Sequence, residues 1–463
     1  VDVFEKSVEI SVSANECFDW HLRPGAFERL CPPWEPVQVE SRDSDVIRDG
    51  SRVVIRVPMG PITRRWVAEH RGFQPGRQFQ DVQISGPFAH WEHTHRVEAL
   101  GNDQCRLTDR IEYRLPLGVL GQFFGGSFVR KKLDTLFSYR HRVTAEDLTA
   151  AGELTGRTSM RVAISGATGL IGSNLCALLA SGGHQVERLT RPGSRKAVNG
   201  PSAGDISWDP AARYIDASKL EGVDAVVHLA GDNVGSGRWS AAKKARIRDS
   251  RVVGTTLLCE TLAQLQRPPS VLVCASAVGY YGNRGDELLD EKSSPANDFL
   301  GTVCQEWEAC TTPARNKGIR VVNLRFGVVL SPRDGALAKM LFPFKMGGGG
   351  VLGPGTQYMP WIAIDDAIGA AAHALANSSL NGPVNAVAPN PVTNLEFTKT
   401  LGKVLSRPTI LPMPAFAARL AFGEMADALL LASTRVSPQR LQETGYKFRF
   451  PELEPALRHL LGK

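Results

Sequence analysis

The feature that most constrains this chain lies a third of the way along it, where Met160-Arg161-Val162-Ala163-Ile164-Ser165 runs into Gly166-Ala167-Thr168-Gly169-Leu170-Ile171-Gly172. The apolar, β-branched run reads as a buried parallel strand, and Leu175, Leu178 and Leu179 follow it at helical spacing. Strand, glycine turn and helix in that order make a dinucleotide-binding turn. Gly166 allows the tight turn and Gly169 lets the backbone approach a pyrophosphate. Gly172 lets the helix pack close to the strand, so that the helix N-terminus faces the anion. Thr168, Leu170 and Ile171 complete the stretch expected to touch the cofactor.

The end of the next strand selects the cofactor, because a carboxylate there bonds the ribose 2′-hydroxyl and repels a 2′-phosphate. Here the chain reads Arg188-Leu189-Thr190-Arg191-Pro192-Gly193-Ser194-Arg195-Lys196, with no carboxylate. Arg191, backed by Arg195 or Lys196, is suited to pair with a 2′-phosphate, which points to NADP(H) rather than NAD(H).

At 463 residues the chain is expected to hold two or three domains. Residues 1–150 read as α+β. Strand-like stretches recur near Val3–Ile10, Arg52–Val57, Arg64–Phe73, Phe79–Ile84, His90–Val97 and Cys105–Leu115, before one long helical pattern over 123–148. That pattern carries Phe124, Phe128, Leu133, Leu136 and Phe137, and a curved antiparallel sheet wrapped on the helix would bury them. Residues 151–159 have the composition of a linker. Residues 160–346 alternate strand and helix, predicting a Rossmann-type doubly wound parallel sheet. Residues 347–463, opening on a run of glycines, predict a small, mostly helical lobe on the substrate side, with Gly347–Gly355 as a flap.

The order of elements in 1–150, with Gly86-Pro87-Phe88 and Trp91-Glu92-His93-Thr94-His95 before the last strands, resembles the START-like, helix-grip ligand-binding fold of polyketide cyclases and lipid carriers. The resemblance implies a cavity between sheet and helix for an apolar ligand, with Trp91, His93 and His95 along it. Strand alternation puts His93 and His95 on one face and His90 on the other, so these three histidines do not converge and no metal site is expected.

Val273-Cys274-Ala275-Ser276-Ala277-Val278-Gly279-Tyr280-Tyr281-Gly282 resembles the strand that delivers the catalytic serine in extended short-chain dehydrogenases and sugar-nucleotide epimerases. In that chemistry a serine polarises the reacting oxygen while a tyrosine, its pKa lowered by a lysine four residues on, moves the proton. The helix that should supply that pair offers Leu300 and Cys304, and none of the seven tyrosines is followed by a lysine four residues later. Ser276 with Tyr280 or Tyr281 is therefore the candidate catalytic set. The same resemblance puts Leu229, Ala230 and Gly231 on the adenine and ribose side of the cofactor, with His228 packed rather than acting as a base.

Residues 160–463 resemble, nearly end to end, the atypical extended short-chain dehydrogenases known as nucleoside-diphosphate-sugar epimerases or SulA-type proteins. Besides the glycine turn, the likeness is carried by His228-Leu229-Ala230-Gly231, Ser250-Arg251-Val252, Ser276 to Gly282, Trp307-Glu308, Leu324 to Ser331 and Val384 to Thr393. The family usually has His where this chain has Ala363, which removes a polar group expected near the substrate. Asp366 reads as a helix cap, and Thr393 with Glu396 as a capping box.

Eight cysteines without a CxxC pair argue for buried, reduced thiols and a cytoplasmic protein. The net charge of +7 is uneven: residues 1–159 carry 21 basic and 22 acidic groups, the remainder 33 and 25. That suits small phosphate-bearing ligands. No stripe of cations interleaved with aromatics suggests nucleic acid, and no apolar run is long enough to span a bilayer. The function these features imply is an NADP(H)-dependent oxidoreductase or epimerase acting on a small molecule, with an NADP(H)-sensing regulatory protein, of the kind linked to cell division, as the alternative.

Overall fold

The computed structural model describes residues 1–35, 37–44, 46–60, 62–116, 118–154, 159–191 and 204–463. The N-terminal part is a seven-stranded antiparallel sheet of Asp2–Ile10, Gln38–Arg42, Arg52–Met59, Ile62–Gln74, Gln78–Ser85, His90–Ala99 and Cys105–Arg114. The last six form a meander in sequence order, and the first strand joins the seventh. Period-2 patterning sets which side faces inward: along His90–Ala99, Trp91, His93, His95 and Val97 are buried while their neighbours are not. The concave face closes on the helix Gly118–Leu154, which buries Leu133, Phe137, Val143 and Leu148. Phe128 departs from the expected stripe. It is 71% exposed and stands at the rim of a cavity. The side chain of Phe124 lies outside the described residues.

The helix continues through Leu154, so the first residues of the expected linker are helical; 155–158 lie outside the described residues. Beyond them, the second sheet has the spatial order Tyr214–Ile215, Gly204–Asp209, Gln185–Thr190, Arg161–Ser165, Ala225–His228, Val271–Ala277, Arg320–Phe326 and Gly382–Ala386. All pairs are parallel except the first. The order reverses at Arg161–Ser165, which puts the switch point, where such sheets bind ligands, at the ends of this strand and Ala225–His228. The expected boundary at 346 cuts through this unit. Gly382–Ala386 is the eighth strand, and helix Ile364–Ala376 packs its alanine-rich face on the sheet with ten of its thirteen residues buried.

Two further expectations change. Ala363 is fully buried and paired with Leu330 at the start of that helix. Asp366 does not cap the helix; its carboxylate accepts from Arg449 N at 2.7 Å, Phe450 N at 2.9 Å and Tyr446 OH at 3.1 Å, tying the C-terminal loop to the sheet layer. The capping box of Thr393 and Glu396 is present.

The two parts meet through a buried ion network. Arg29 grips Asp147 from its own domain (Nε to Oδ2, 2.6 Å) and reaches Asp365 of the second (Nη2 to Oδ1, 3.2 Å). Arg449 returns the contact to Asp147 at 2.9 Å and Glu146 at 3.3 Å, and His459 backs Asp365 at 3.2 Å.

Candidate functional site

At the switch point Gly166 has φ +67°, and a side chain there would sit 2.8 Å from the Leu229 carbonyl carbon. A Cβ on Gly172 would run into the Gly166 carbonyl oxygen, so strand and helix can pack this closely only through glycine. The helix Leu170–Ser181 starts at Gly169 with no side-chain cap, which leaves its first amides without a side-chain partner at that end. Thr168 and Gly169 are exposed beside them. An uncapped helix start behind a glycine turn fits a dinucleotide pyrophosphate, held by backbone N–H groups of this stretch.

The facing turn is fixed from below. Ser165 Oγ accepts from Leu229 N at 3.1 Å and Ala230 N at 3.3 Å, which leaves its proton for His228 Nδ1 at 2.7 Å. His228 Nε2 then donates to Thr255 Oγ1 at 3.0 Å. Burial pushes the imidazole down to about 4, so His228 is a neutral packing group that shapes Leu229, Ala230 and Gly231. Arg191 is exposed just past the strand Gln185–Thr190; Arg195 and Lys196 lie outside the described residues.

The expected catalytic residues are held differently from the way a free catalytic set would be. Ser276 is buried and donates inward to Glu308 Oε1 at 2.7 Å. Glu308 forms a two-pronged pair with Arg325, both contacts 2.8 Å. Arg325 donates to Tyr281 OH at 3.0 Å, and Tyr281 donates to Asn385 Oδ1 at 2.7 Å. Tyr281 is fully buried, burial pushes its phenol up to about 12, and its hydroxyl is engaged within this internal network. Tyr280 is half-buried, with its ring stacked on the Arg325 guanidinium at 3.4 Å. Cys304, at the lysine position, is a buried thiol pushed up to about 12 by burial.

Comparison with known proteins identifies the family. The profile of the NAD dependent epimerase/dehydratase family matches residues 162–386. That of polyketide cyclase, dehydrase and lipid transport proteins matches 10–137, and a domain of unknown function matches 413–460. An epimerase family protein of Mycobacterium bovis is 44% identical over 296 residues, covering 64% of this chain and 96% of the relative. A nucleoside-diphosphate sugar epimerase from Corynebacterium glutamicum superposes with TM-score 0.79 at 33% identity, over 99% of this chain and 90% of that one. The chain belongs to the epimerase family. The human epimerase family protein SDR39U1, solved with NADPH, superposes over 65% of this chain and 99% of its own length, with 36% identity and TM-score 0.59.

Within this epimerase-family site, two cations of the helix Ala241–Gln264 that were not among the expected site residues are drawn inward. Lys243 is buried, its Nζ bonded to Asp232 Oδ2, Asn233 O and Ser236 Oγ at 2.7–2.8 Å. Arg251 lies under Gly231, stacked on Trp307 at 5.0 Å and donating to the carbonyls of Asp232 and Ile247. Both hold the loop after Gly231. Of the two, Arg251 had a sequence signal, the Ser250-Arg251-Val252 likeness. The glycine segment is also corrected: Gly350 has no room for a side chain against Leu411, Gly353 N donates to Met413 O at 2.9 Å and Leu352 N to Asn394 Oδ1 at 2.8 Å. It is packed onto the C-terminal lobe and is no free flap.

In the N-terminal domain, a cavity of about 480 Å³ opens between sheet and helix. Trp66, Phe88, Trp91, Leu133 and Phe137 wall it, with His70, Asp81 and His93 at its polar end. His95 lies deeper, stacked on Phe79 at 4.4 Å. Among the described residues no helix is long and apolar enough to cross a membrane.

Proposed function

We propose that this chain is an NADP(H)-binding oxidoreductase of the epimerase/dehydratase type, with an N-terminal domain that holds an apolar small molecule in its cavity. Arg191 carries the cofactor choice. It stands where an NAD-selective sheet places a carboxylate, directly after the strand beside the glycine turn. The NADPH in the human relative's structure supports the same reading. The apolar walls of the cavity support the ligand, and eight free cysteines support a reducing, cytoplasmic setting. Titrating NADPH and NADH against the protein tests the cofactor assignment: NADPH binds more tightly, and Arg191→Ala narrows the difference by about tenfold or more, the worth of a charge-assisted pair. Equal affinities in the parent protein overturn it, and an unchanged preference in the variant moves the contact to Arg195 or Lys196.

A second reading, a protein that binds NADP(H) and reports its occupancy without ordinary turnover, is favoured by the inward bond of Ser276 and the burial of Tyr281. Tyr280 remains the candidate proton carrier beside Ser276. NADPH oxidation against a panel of carbonyl compounds separates the two: turnover abolished by Tyr280→Phe supports the enzyme, and tight cofactor binding with no turnover supports the sensor.

A further inference from the structure

The deep end of the N-terminal cavity holds more ionisable groups than an apolar pocket needs. Asp81 on Gln78–Ser85 and His93 and His95 on His90–Ala99 gather there, with one nitrogen or oxygen of each within 4.8 Å of the others. His95 Nε2 is 3.2 Å and His93 Nδ1 3.9 Å from Asp81 Oδ2. Ligand atoms bonded to one transition-metal ion at about 2.0–2.2 Å stand roughly 3–4 Å apart, so these spacings suit a shared ion. Neighbouring strands supply the convergence that one strand alone cannot: Asp81 lies directly across the ladder from His93, replacing the outward His90 as third member.

The surroundings are built as metal sites are built. The far nitrogens of both imidazoles meet one buried carboxylate oxygen, Asp109 Oδ1, which is 2.8 Å from His93 Nε2 and 2.8 Å from His95 Nδ1. Asp109 is held from its other oxygen by His141 Nε2 at 2.6 Å. The hydrogen bond from Asp109 to His93 Nε2 fixes that ring so that Nδ1 presents a lone pair, and the same carboxylate oxygen stands close behind His95. Several of these atoms do not satisfy one another. His70 Nδ1 and Asp81 Oδ1 approach to 2.7 Å, yet both are buried without an aligned hydrogen bond, and His95 Nδ1 is in the same condition.

We propose that Asp81, His93 and His95 bind a divalent transition-metal ion, with Asp109 as the carboxylate that positions both histidines. Three protein ligands leave coordination positions open, as in a reactive rather than a structural site. Asp81 and His93 border the cavity, so those positions face it. The ligand class is then an apolar molecule with an oxygen donor, a carbonyl, hydroxyl or carboxylate. The site belongs to the N-terminal domain and stands apart from the dinucleotide reading, except that the ligand class refines the cavity assignment.

Full-length protein stripped with a chelator and dialysed against Zn²⁺ tests the ion by elemental analysis, with Co²⁺ as a spectroscopic substitute. One ion per chain and ligand-field absorption from Co²⁺ in a nitrogen and oxygen set are expected. His93→Ala, His95→Ala and Asp81→Ala abolish retention, Asp109→Asn weakens it about 10- to 100-fold in a chelator competition, and His90→Ala leaves it unchanged. Circular dichroism and thermal unfolding of each variant confirm that loss of metal is not loss of fold. Folded parent protein that retains neither Zn²⁺ nor Co²⁺ at micromolar concentration overturns the proposal, as does retention that survives His93→Ala with His95→Ala. If the ion binds but a carbonyl or carboxylate probe does not perturb the Co²⁺ spectrum, the metal site stands and the ligand class fails.

Discussion

Tyr280 and Tyr281 are adjacent in the chain and opposite in circumstance. The second spends its hydroxyl entirely inside the protein, between Arg325 and Asn385, whereas the first offers a ring face to Arg325 and keeps an exposed edge. Tyr281→Phe should therefore cost about 1–3 kcal/mol in chemical denaturation, because it leaves the buried Asn385 oxygen and an Arg325 N–H without a partner. Tyr280→Phe should cost less than about 0.5 kcal/mol. Equal losses would contradict this division of roles. The sequence pointed to Ser276 and both tyrosines through the resemblance of their strand. It did not show that Glu308 would accept the serine's hydrogen bond, since that glutamate lies on a separate helix and the contact exists only once Val271–Ala277 and Phe299–Ala309 pack together.

Elements whose residues agree locally with their fate were legible in advance. The strands of the N-terminal sheet other than Gln38–Arg42 were readable from alternation, and Arg161–Ser165 and Ala225–His228 from short apolar runs. Gly382–Ala386 was not, because Gly, Pro and Asn are poor strand formers; its strand character comes from pairing with Arg320–Phe326 and from the bonds of Asn385 to Glu291, Tyr281 and Ser437. Gln38–Arg42 and Gly204–Asp209, largely polar, escaped notice for the same reason. Helix Asn394–Leu405 shows local and global signals in accord. Its capping box satisfies two end donors, and Thr393→Ala should cost about 0.5–2 kcal/mol, read as a lower denaturation midpoint at unchanged slope. No loss would mean that packing of Phe397 and Leu401 alone holds the helix start.

At the scale of the whole molecule, the charges between the domains make stability depend on pH. Burial outweighs the nearby Arg449 and pushes the Glu146 carboxyl from 4.5 up to about 7. An acid whose folded pKa lies above its unfolded one prefers the protonated fold, so its contribution is most favourable below 4.5 and is lost as pH rises toward about 7. Glu146→Gln should match the parent at the acid end of that window and be more stable above it, by on the order of 1–3 kcal/mol. Parallel profiles for the two proteins would refute it. The edge strand Gly382–Ala386 carries a different consequence, for the chain as it leaves the ribosome. By the time Leu154 emerges, the N-terminal sheet and its helix are complete, but Arg320–Phe326 must wait with one flank unpaired until all of 327–381 has been made. An apolar strand with an open edge is a template for neighbouring nascent chains. Synthesis that stalls before Gly382 thus releases a finished first domain tethered to an adhesive second one.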